Sequence, residues 1–272
     1  MSQGANGSSS LPLFLVVNDD GIDSEGIVEL ADKLSEIGNV IVAAPLHPHS
    51  GAGRILPNSP WNSGTGVIVE RVLDVKHPER VKAFAVDTTP AGCVVHALAE
   101  LLEDGVKPDL CFSGINFGGN VGLHIYASGT VGAALEAASS GIASIAISQQ
   151  LPDRSARPDT VEGKREMMST AAEIAKRFAI KILETGMHKT QLCLNVNVPD
   201  NATLDTPIRF VDQTLETGIT WNFDGSRDRS QPFQPEPSWT REMVFPEGGD
   251  LHELLVARNI TVTPLAIGIA RS

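Results

Sequence analysis

Two adjacent aspartates at the end of an apolar stretch are the residues of this chain best placed to do chemistry. Leu13 to Val17 run without a polar residue straight into Asn18-Asp19-Asp20-Gly21. A continuous apolar run of this length reads as a strand buried on both faces. Neighbouring side chains on a strand point to opposite faces, so Asp19 and Asp20 can serve one site only once the strand has ended. Gly21 supplies the freedom to turn there. Converging carboxylates at a strand tip suit a hard divalent cation bound through oxygen. The competing reading is an Asx-turn, in which Asn18 or an aspartate caps the following helix.

Three polar, glycine-rich stretches follow strand-like runs: Asn18 to Gly21, His47 to Arg54, and Ser113 to Asn120. Ser128-Gly129-Thr130 opens a helix. In a doubly wound sheet, ligands sit outside the carboxyl ends of the strands. All four elements fall on that edge, which lifts the first motif above a capping turn. Together they offer carboxylates, hydroxyls, carboxamides and backbone N–H groups of the kind that bind phosphate. Competing motifs fail on spacing. No glycine-rich loop ends in Gly-Lys-Ser/Thr, and no G-x-G-x-x-G opens a helix. Ser50 lacks the glycine two residues earlier that a nucleophile elbow requires. Asp19-Asp20-Gly21 also lacks the Asp-x-Asp spacing of phosphatases that form an aspartyl-phosphate. His47 and His49 read as exposed loop residues rather than zinc ligands, and His96 as a helix-flank residue.

The elements that must position these groups follow from periodicity. Ser24 is placed to cap a helix carrying Ile27, Leu30, Ala31, Leu34 and Ile37. Val40 to Ala44 is a second buried strand, and Val67 to Val75 and Val81 to Val86 are further strands. Thr89-Pro90 starts a helix that ends near Gly105. Asp109 to Ser113 and Ile145 to Ile147 are strands, and a long amphipathic helix carries Met168, Ala171, Ala175, Phe178 and Ile182. Residues 151 to 165 read as a surface loop. Strands alternating with helices give an α/β fold, a doubly wound, mainly parallel sheet. After about residue 190 the pattern changes. Leu192 to Val198 and Ile208 to Val211 are strands, an aromatic stretch with Trp221 and Trp239 forms a β-hairpin arm, and Ile260 to Leu265 returns to the core. The organisation expected is a disordered tail over 1–10, a core over 11–190, and a C-terminal hairpin arm with its returning strand over 191–272.

The chain has 272 residues and a formal net charge of −12, which argues against nonspecific binding to nucleic acid or anionic membranes. Three widely spaced cysteines, Cys93, Cys111 and Cys193, show neither zinc spacing nor a disulfide framework. No apolar run reaches the length of a membrane span, and the small, polar first ten residues do not resemble a signal peptide. A cytoplasmic location is expected.

Asn18-Asp19-Asp20-Gly21, and Ser50-Gly51-Ala52 after a strand ending in Ala-Pro, closely resemble the SurE family of metal-dependent nucleotidases. So do Thr89-Pro90-Ala91 with Cys93-Val94, Ser113-Gly114-Ile115-Asn116 with Gly118 and Asn120, and Ser128-Gly129-Thr130-Val131. The order and spacing match from about Leu13 to Leu265, including Leu194 to Pro199 and Thr263-Pro264-Leu265. The resemblance implies a Rossmann-like core, hydrolysis of nucleoside 5′- and 3′-monophosphates, and a C-terminal arm exchanged between subunits. It carries metal ligation to Asp19, Asp20, Ser50 and Asn116, an all-oxygen set suited to Mg²⁺ or Mn²⁺. The chain departs from the family pattern at Val17, where a small hydroxyl residue is common, and at Gly92, where an aspartate often stands. It also ends soon after Thr263-Pro264-Leu265, where relatives usually continue into a helical tail.

On this reading Asp19 or Asp20 orients or deprotonates water. Asn18, the backbone near Gly51 and Gly129, and the Asn120, Ser128 and Thr130 side chains hold the substrate phosphate. For Ser128 and Thr130 the structural alternative is helix capping; for Asn120 it is a turn residue with a left-handed backbone. Two rival functions are a nucleotide-binding sensor without turnover and a nucleotide-dependent transferase. Trp221, Phe223, Phe233, Trp239 and Phe245, set among prolines and charges, predict a homodimer built by the arm, and the missing helical tail argues against a tetramer.

Overall fold

The computed structural model describes residues 11–151, 157–190, 192–216, 219–222, 230, 236–239 and 245–266, with only the strand pairing given for 219–222 and 236–239. The expected tail over 1–10 and part of the surface loop lie outside the described residues, as do the side chains of Trp221, Phe223, Phe233 and Trp239.

Strand β1 (Leu13–Val17) lies at the centre of a nine-stranded sheet. Its alternate side chains enter two cores. Phe14 and Val16 pack with helix α1 (Glu25–Ser35) and helix α4 (Val161–Thr185). Leu15 and Val17 pack with helix α2 (Pro90–His96) and helix α3 (Gly129–Ser139) on the other face. Helices on both faces leave no solvent side, which is why the run carries no alternating polar residue.

Six strands are parallel: β4 (Val81–Val86), β2 (Asn39–Pro45), β1, β5 (Leu110–Phe117), β6 (Ser144–Gln149) and β7 (Cys193–Val198), adjacent in that order. Counted along the chain this is the order 3-2-1-4-5-6 of a doubly wound Rossmann-like sheet, whose crevice opens where the order reverses, between β1 and β5. Strand β3 (Ile68–Arg71) runs antiparallel along β4. At the other edge β11 (Ile260–Pro264) runs antiparallel to β7 and pairs in parallel with β8 (Ile208–Phe210). A separate antiparallel pair, β9 (Ile219–Asn222) with β10 (Glu236–Trp239), forms the hairpin of the arm. A short helix α5 (Asp250–Leu255) precedes β11.

The boundaries differ from the expectation where polar residues are buried. Strand β5 continues four residues past Ser113, so Asn116 belongs to the strand rather than to the loop after it. It does so because β6 extends alongside, pairing Ser148 with Asn116 and Gln149 with Phe117 beyond a register shift. Strand β3 is shorter than expected because its exposed residues pair only with β4. The helix opened by Thr89 accepts the Gly92 N–H on its hydroxyl at 3.2 Å, as expected, but changes to a wider π turn at Ala97–Leu101.

Helix α1 approaches the end of β5 closely. A β-carbon on Gly26 would fall well inside van der Waals contact with the Ile115 carbonyl oxygen. Gly26→Ala gains roughly 1 kcal/mol of helix propensity, yet it must push a backbone oxygen that cannot rotate away. The expected net loss is about 2 kcal/mol, within the range of core overpacking, with activity falling as β5 shifts. Urea unfolding measures it, and a variant as stable as the parent would mean that the two backbones do not meet.

Candidate active site

The turn after β1 is closed by Asn18. Its Nδ2 donates to the Gly21 carbonyl at 2.9 Å and to the Ser24 hydroxyl at 2.8 Å, while Gly21 N–H returns to Oδ1 at 3.2 Å. Gly21 holds φ at +94°, the left-handed region that a β-carbon disfavours. Asn18 has no exposed surface, so its expected substrate contact gives way to a positioning role. Ser24 does not cap α1 with its side chain, because its oxygen faces the Asn18 amide instead.

This turn sends the two carboxylates in different directions. Asp19 faces α3, where Thr130 Oγ1 donates to its Oδ1 at 2.7 Å. A β-carbon on Gly129 would lie 2.8 Å from Asp19 Cβ, so the helix can start here only on glycine. Burial pushes the Asp19 carboxyl above the ordinary range, and the Thr130 hydroxyl and backbone N–H pull against it. Asp20 faces β5. Burial first, then the Asp19 charge, push it up to about 6; Arg157 and the backbone N–H of Phe117 act in the opposite sense. Its Oδ2 is buried without a hydrogen-bond partner among the described residues.

Asn116 arrives from the neighbouring strand. Ser113 pairs with Val17, and Asn116 lies three residues beyond the one as Asp20 lies three beyond the other. The Asn116 Nδ2 donates to the Gly118 carbonyl at 2.7 Å, which commits the amide nitrogen and leaves Oδ1 as its available end. The loop after β2 is tied in by His49, whose N–H donates to the Asp19 carbonyl at 2.7 Å. Ser50 follows at once, exposed, and Gly51 takes φ +79° with open space around its α-carbon. His49 is half-buried, and that burial holds its imidazole below its ordinary pKa. The four expected ligand residues thus sit on two loops, after β1 and β2, and on the end of strand β5 beside them.

The remaining expected phosphate binders divide. Ser128 caps α3, accepting the Val131 N–H at 3.1 Å, so the capping alternative describes its hydroxyl. Thr130 gives its hydroxyl to Asp19, although its backbone stays at the helix N-terminus. Asn120 does not adopt a left-handed backbone; it is a clamped residue. Its Nδ2 donates to Ser148 Oγ at 2.9 Å, its N–H to Asn197 Oδ1 at 2.7 Å, and its carbonyl accepts from Asn195 at 2.7 Å and Asn197 at 3.1 Å. Two residues on, the buried Asp250 accepts Gly122 N–H at 2.8 Å, Thr214 N–H at 2.9 Å and Leu251 N–H at 2.8 Å.

Among the described residues no three His, Cys, Asp or Glu side chains gather as a metal site. Asp19, Asp20, Ser50 and Asn116 nevertheless fit a hard cation. The donor set is all oxygen, and one buried carboxylate oxygen lacks any protein partner. Sequence reasoning missed Arg157, which no motif marks. It also gave no role to Asn195 and Asn197 of β7; their spacing of two puts both on one face, where they hold Asn120.

The comparisons bear on the whole chain. A family model described as "Survival protein SurE" matches residues 14–218. A protein named 5′-nucleotidase SurE from Chlorobium luteolum is 33% identical over 263 residues, covering 96% of this chain and 92% of the relative. One of the same name from Thermococcus kodakarensis is 35% identical over 255 residues, covering 93% and 92%. The crystal structure of the SurE protein from Aquifex aeolicus superposes with a TM-score of 0.73 at 30% identity, covering 96% of this chain and 95% of that one.

The raised Asp20 carboxyl has a consequence for stability. Its folded-state pKa of about 6 lies above that of an ordinary aspartate near 4. The folded state therefore binds the proton more tightly, and the stability this adds is present below pH ~4 and is lost as pH rises through ~6. Asp20→Asn is expected to stabilise the protein in EDTA at neutral pH by up to about 3 kcal/mol, with the gain vanishing near pH ~4. Urea unfolding at the two pH values measures the difference. A variant no more stable at neutral pH would show that Asp20 is not a desolvated carboxylate.

Proposed function

Because the chain belongs to the SurE family, we propose that it is a divalent-metal-dependent phosphomonoesterase that hydrolyses nucleoside 5′-monophosphates, and 3′-monophosphates, to nucleoside and phosphate. The observation that carries the metal-dependent reading is the buried oxygen of Asp20 without a partner among the described residues, at the point where the strand order reverses, with the Asn116 Oδ1 uncommitted on the adjacent strand. Mg²⁺ or Mn²⁺ held by Asp19, Asp20, Ser50 and Asn116 supplies Lewis-acid polarisation of the phosphoryl oxygens and a more acidic water.

The chain's own groups divide the remaining work. Asp19 is held by Thr130 and keeps a fixed orientation. Asp20 gives Oδ2 to the cation on this reading, and its other oxygen orients the attacking water and takes its proton. Water oxygen forms the new bond to phosphorus, the ester P–O bond breaks, and the departing nucleoside oxygen is protonated from solvent. Backbone N–H groups at the start of α3 and near Gly51 face the phosphate. Asn120, clamped by Asn195, Asn197 and Ser148, fixes the wall between β5 and α3.

Phosphate release from a nucleoside 5′-monophosphate, with no acceptor present, tests the proposal. Activity is expected with Mg²⁺ or Mn²⁺, to be lost in EDTA, and to fall by at least about a thousandfold in Asp20→Asn. Unimpaired release by EDTA-treated enzyme removes the metal. A protein that binds nucleotide without release is a sensor, and one that needs an acceptor is a transferase.

We further propose that the protein is cytoplasmic, in keeping with three buried free cysteines, and that it is a homodimer built by the arm between about Leu192 and Asp250. Among the described residues no helix is long and apolar enough to cross a membrane. Among the described residues the hairpin β9–β10 pairs with no other strand, which suits it to a second subunit. Phe245, in contrast, packs back beside Val121, Leu251 and Leu254 of its own chain. Light scattering should give a dimer for the full chain and a monomer when residues 215–245 are replaced by a Gly/Ser linker. A shortened protein that stays dimeric would place the interface elsewhere.

A further inference from the structure

Arg157 stands beside the candidate site, and the contact it makes among the described residues is with Phe117. Its guanidinium carbon lies 3.9 Å over the centre of the Phe117 ring. Phe117 follows Asn116 directly, and its backbone N–H faces the Asp20 carboxylate. Arg157 acts on both Asp20 and Glu25 electrostatically, yet forms no ion pair with a described carboxylate. Glu25 is already matched by Lys164 at 2.9 Å. The ring contact holds the guanidinium beside Phe117 and leaves its N–H fork uncommitted among the described residues.

The charge balance says what that fork faces. Asp19 and Asp20 form a negative pair that a divalent cation would neutralise, leaving a site without net attraction for a doubly charged phosphate monoester. An additional fixed cation turns the balance positive. Asp19 meets the N-terminus of α3 through Thr130, and Asp20 lies in the field of Arg157, so a positive group adjoins each carboxylate. We propose that Arg157 is a phosphoryl-binding catalytic residue that donates its N–H fork to the substrate's phosphoryl oxygens, opposite the α3 N-terminus. Phe117 serves as the plate that orients it. The inference rests on the nucleotidase reading of the site and adds the group that grips the transferring phosphoryl from its second side.

The test compares wild type, Arg157→Lys and Arg157→Met at saturating Mn²⁺, reading kcat and KM on a nucleoside 5′-monophosphate and the inhibition constant of inorganic phosphate. Methionine keeps a long apolar stem over Phe117 and removes the charge. It is expected to lower kcat/KM about a hundredfold and weaken phosphate inhibition about tenfold. The Mn²⁺ concentration for half-maximal rate should not rise. Lysine restores the charge without the fork and recovers part of both losses. If Arg157 merely packs on Phe117, methionine substitutes for it, and phosphate inhibition stays within about twofold of wild type; that result overturns the proposal. If wild type itself releases no phosphate, the nucleotidase reading fails instead. Calorimetric binding of inorganic phosphate with Mn²⁺ to the wild type and Arg157→Met then decides on Arg157, equal affinities overturning it.

Discussion

Two like charges held out of water at the tip of the central strand govern the architecture of the carboxyl edge. Burial alone disfavours each carboxylate, and each makes the other worse. The fold answers by separating them. The Asn18–Gly21 turn directs Asp19 to the positive end of α3 and a threonine hydroxyl, and Asp20 to the backbone N–H of Phe117 and the field of Arg157. The compensation is incomplete at Asp20, whose second oxygen has no partner among the described residues. A site built this way is less stable than its apolar surroundings allow and more reactive for the same reason.

Apart from Asp250 at Gly122, the supporting shell is built of neutral side chains. Asparagine and serine side chains hold the turn after β1, Asn18 to Ser24, and the loop after β5, where Asn116 bonds Gly118 and Asn120 bonds Ser148, Asn195 and Asn197 of β6 and β7. Amides fix geometry without adding to the field that the two aspartates create. A lysine or glutamate in any of these places would hold a loop equally well and would alter the affinity of the site for both cation and phosphate.

Much of this was legible beforehand, and the exceptions have physical causes. The apolar run before Asn18 and the glycine after Asp20 specify a strand, a turn and a converging pair, because period and φ/ψ restrictions act locally. The alternation of strands and helices specifies a doubly wound sheet, and that sheet type specifies the edge on which ligands lie. What sequence could not give were partners chosen by tertiary approach. Thr130 reads as a cap until Asp19 is found against it, and Asn116 reads as a loop residue until β6 is seen to extend beside it. Ser24 has the composition of a cap and a different neighbour. Arg157 carries no local signal, since a ring brought up from another strand defines its environment.

The clamp on Asn120 and the Asp250 contact with Gly122 join residues 75, 77 and 128 positions apart in the chain. Beta strand β7 and helix α5 therefore complete a loop whose own sequence was made long before them. During synthesis the first aspartates, the loop after β2 and the start of α3 all leave the ribosome while Asn195, Asn197 and Asp250 are still to be added. Contacts of such long range also place the assembly of this wall late in folding, when non-local pairings have closed. A nascent chain thus carries every reacting group and no finished pocket, and its chemistry is withheld until the polypeptide is nearly whole.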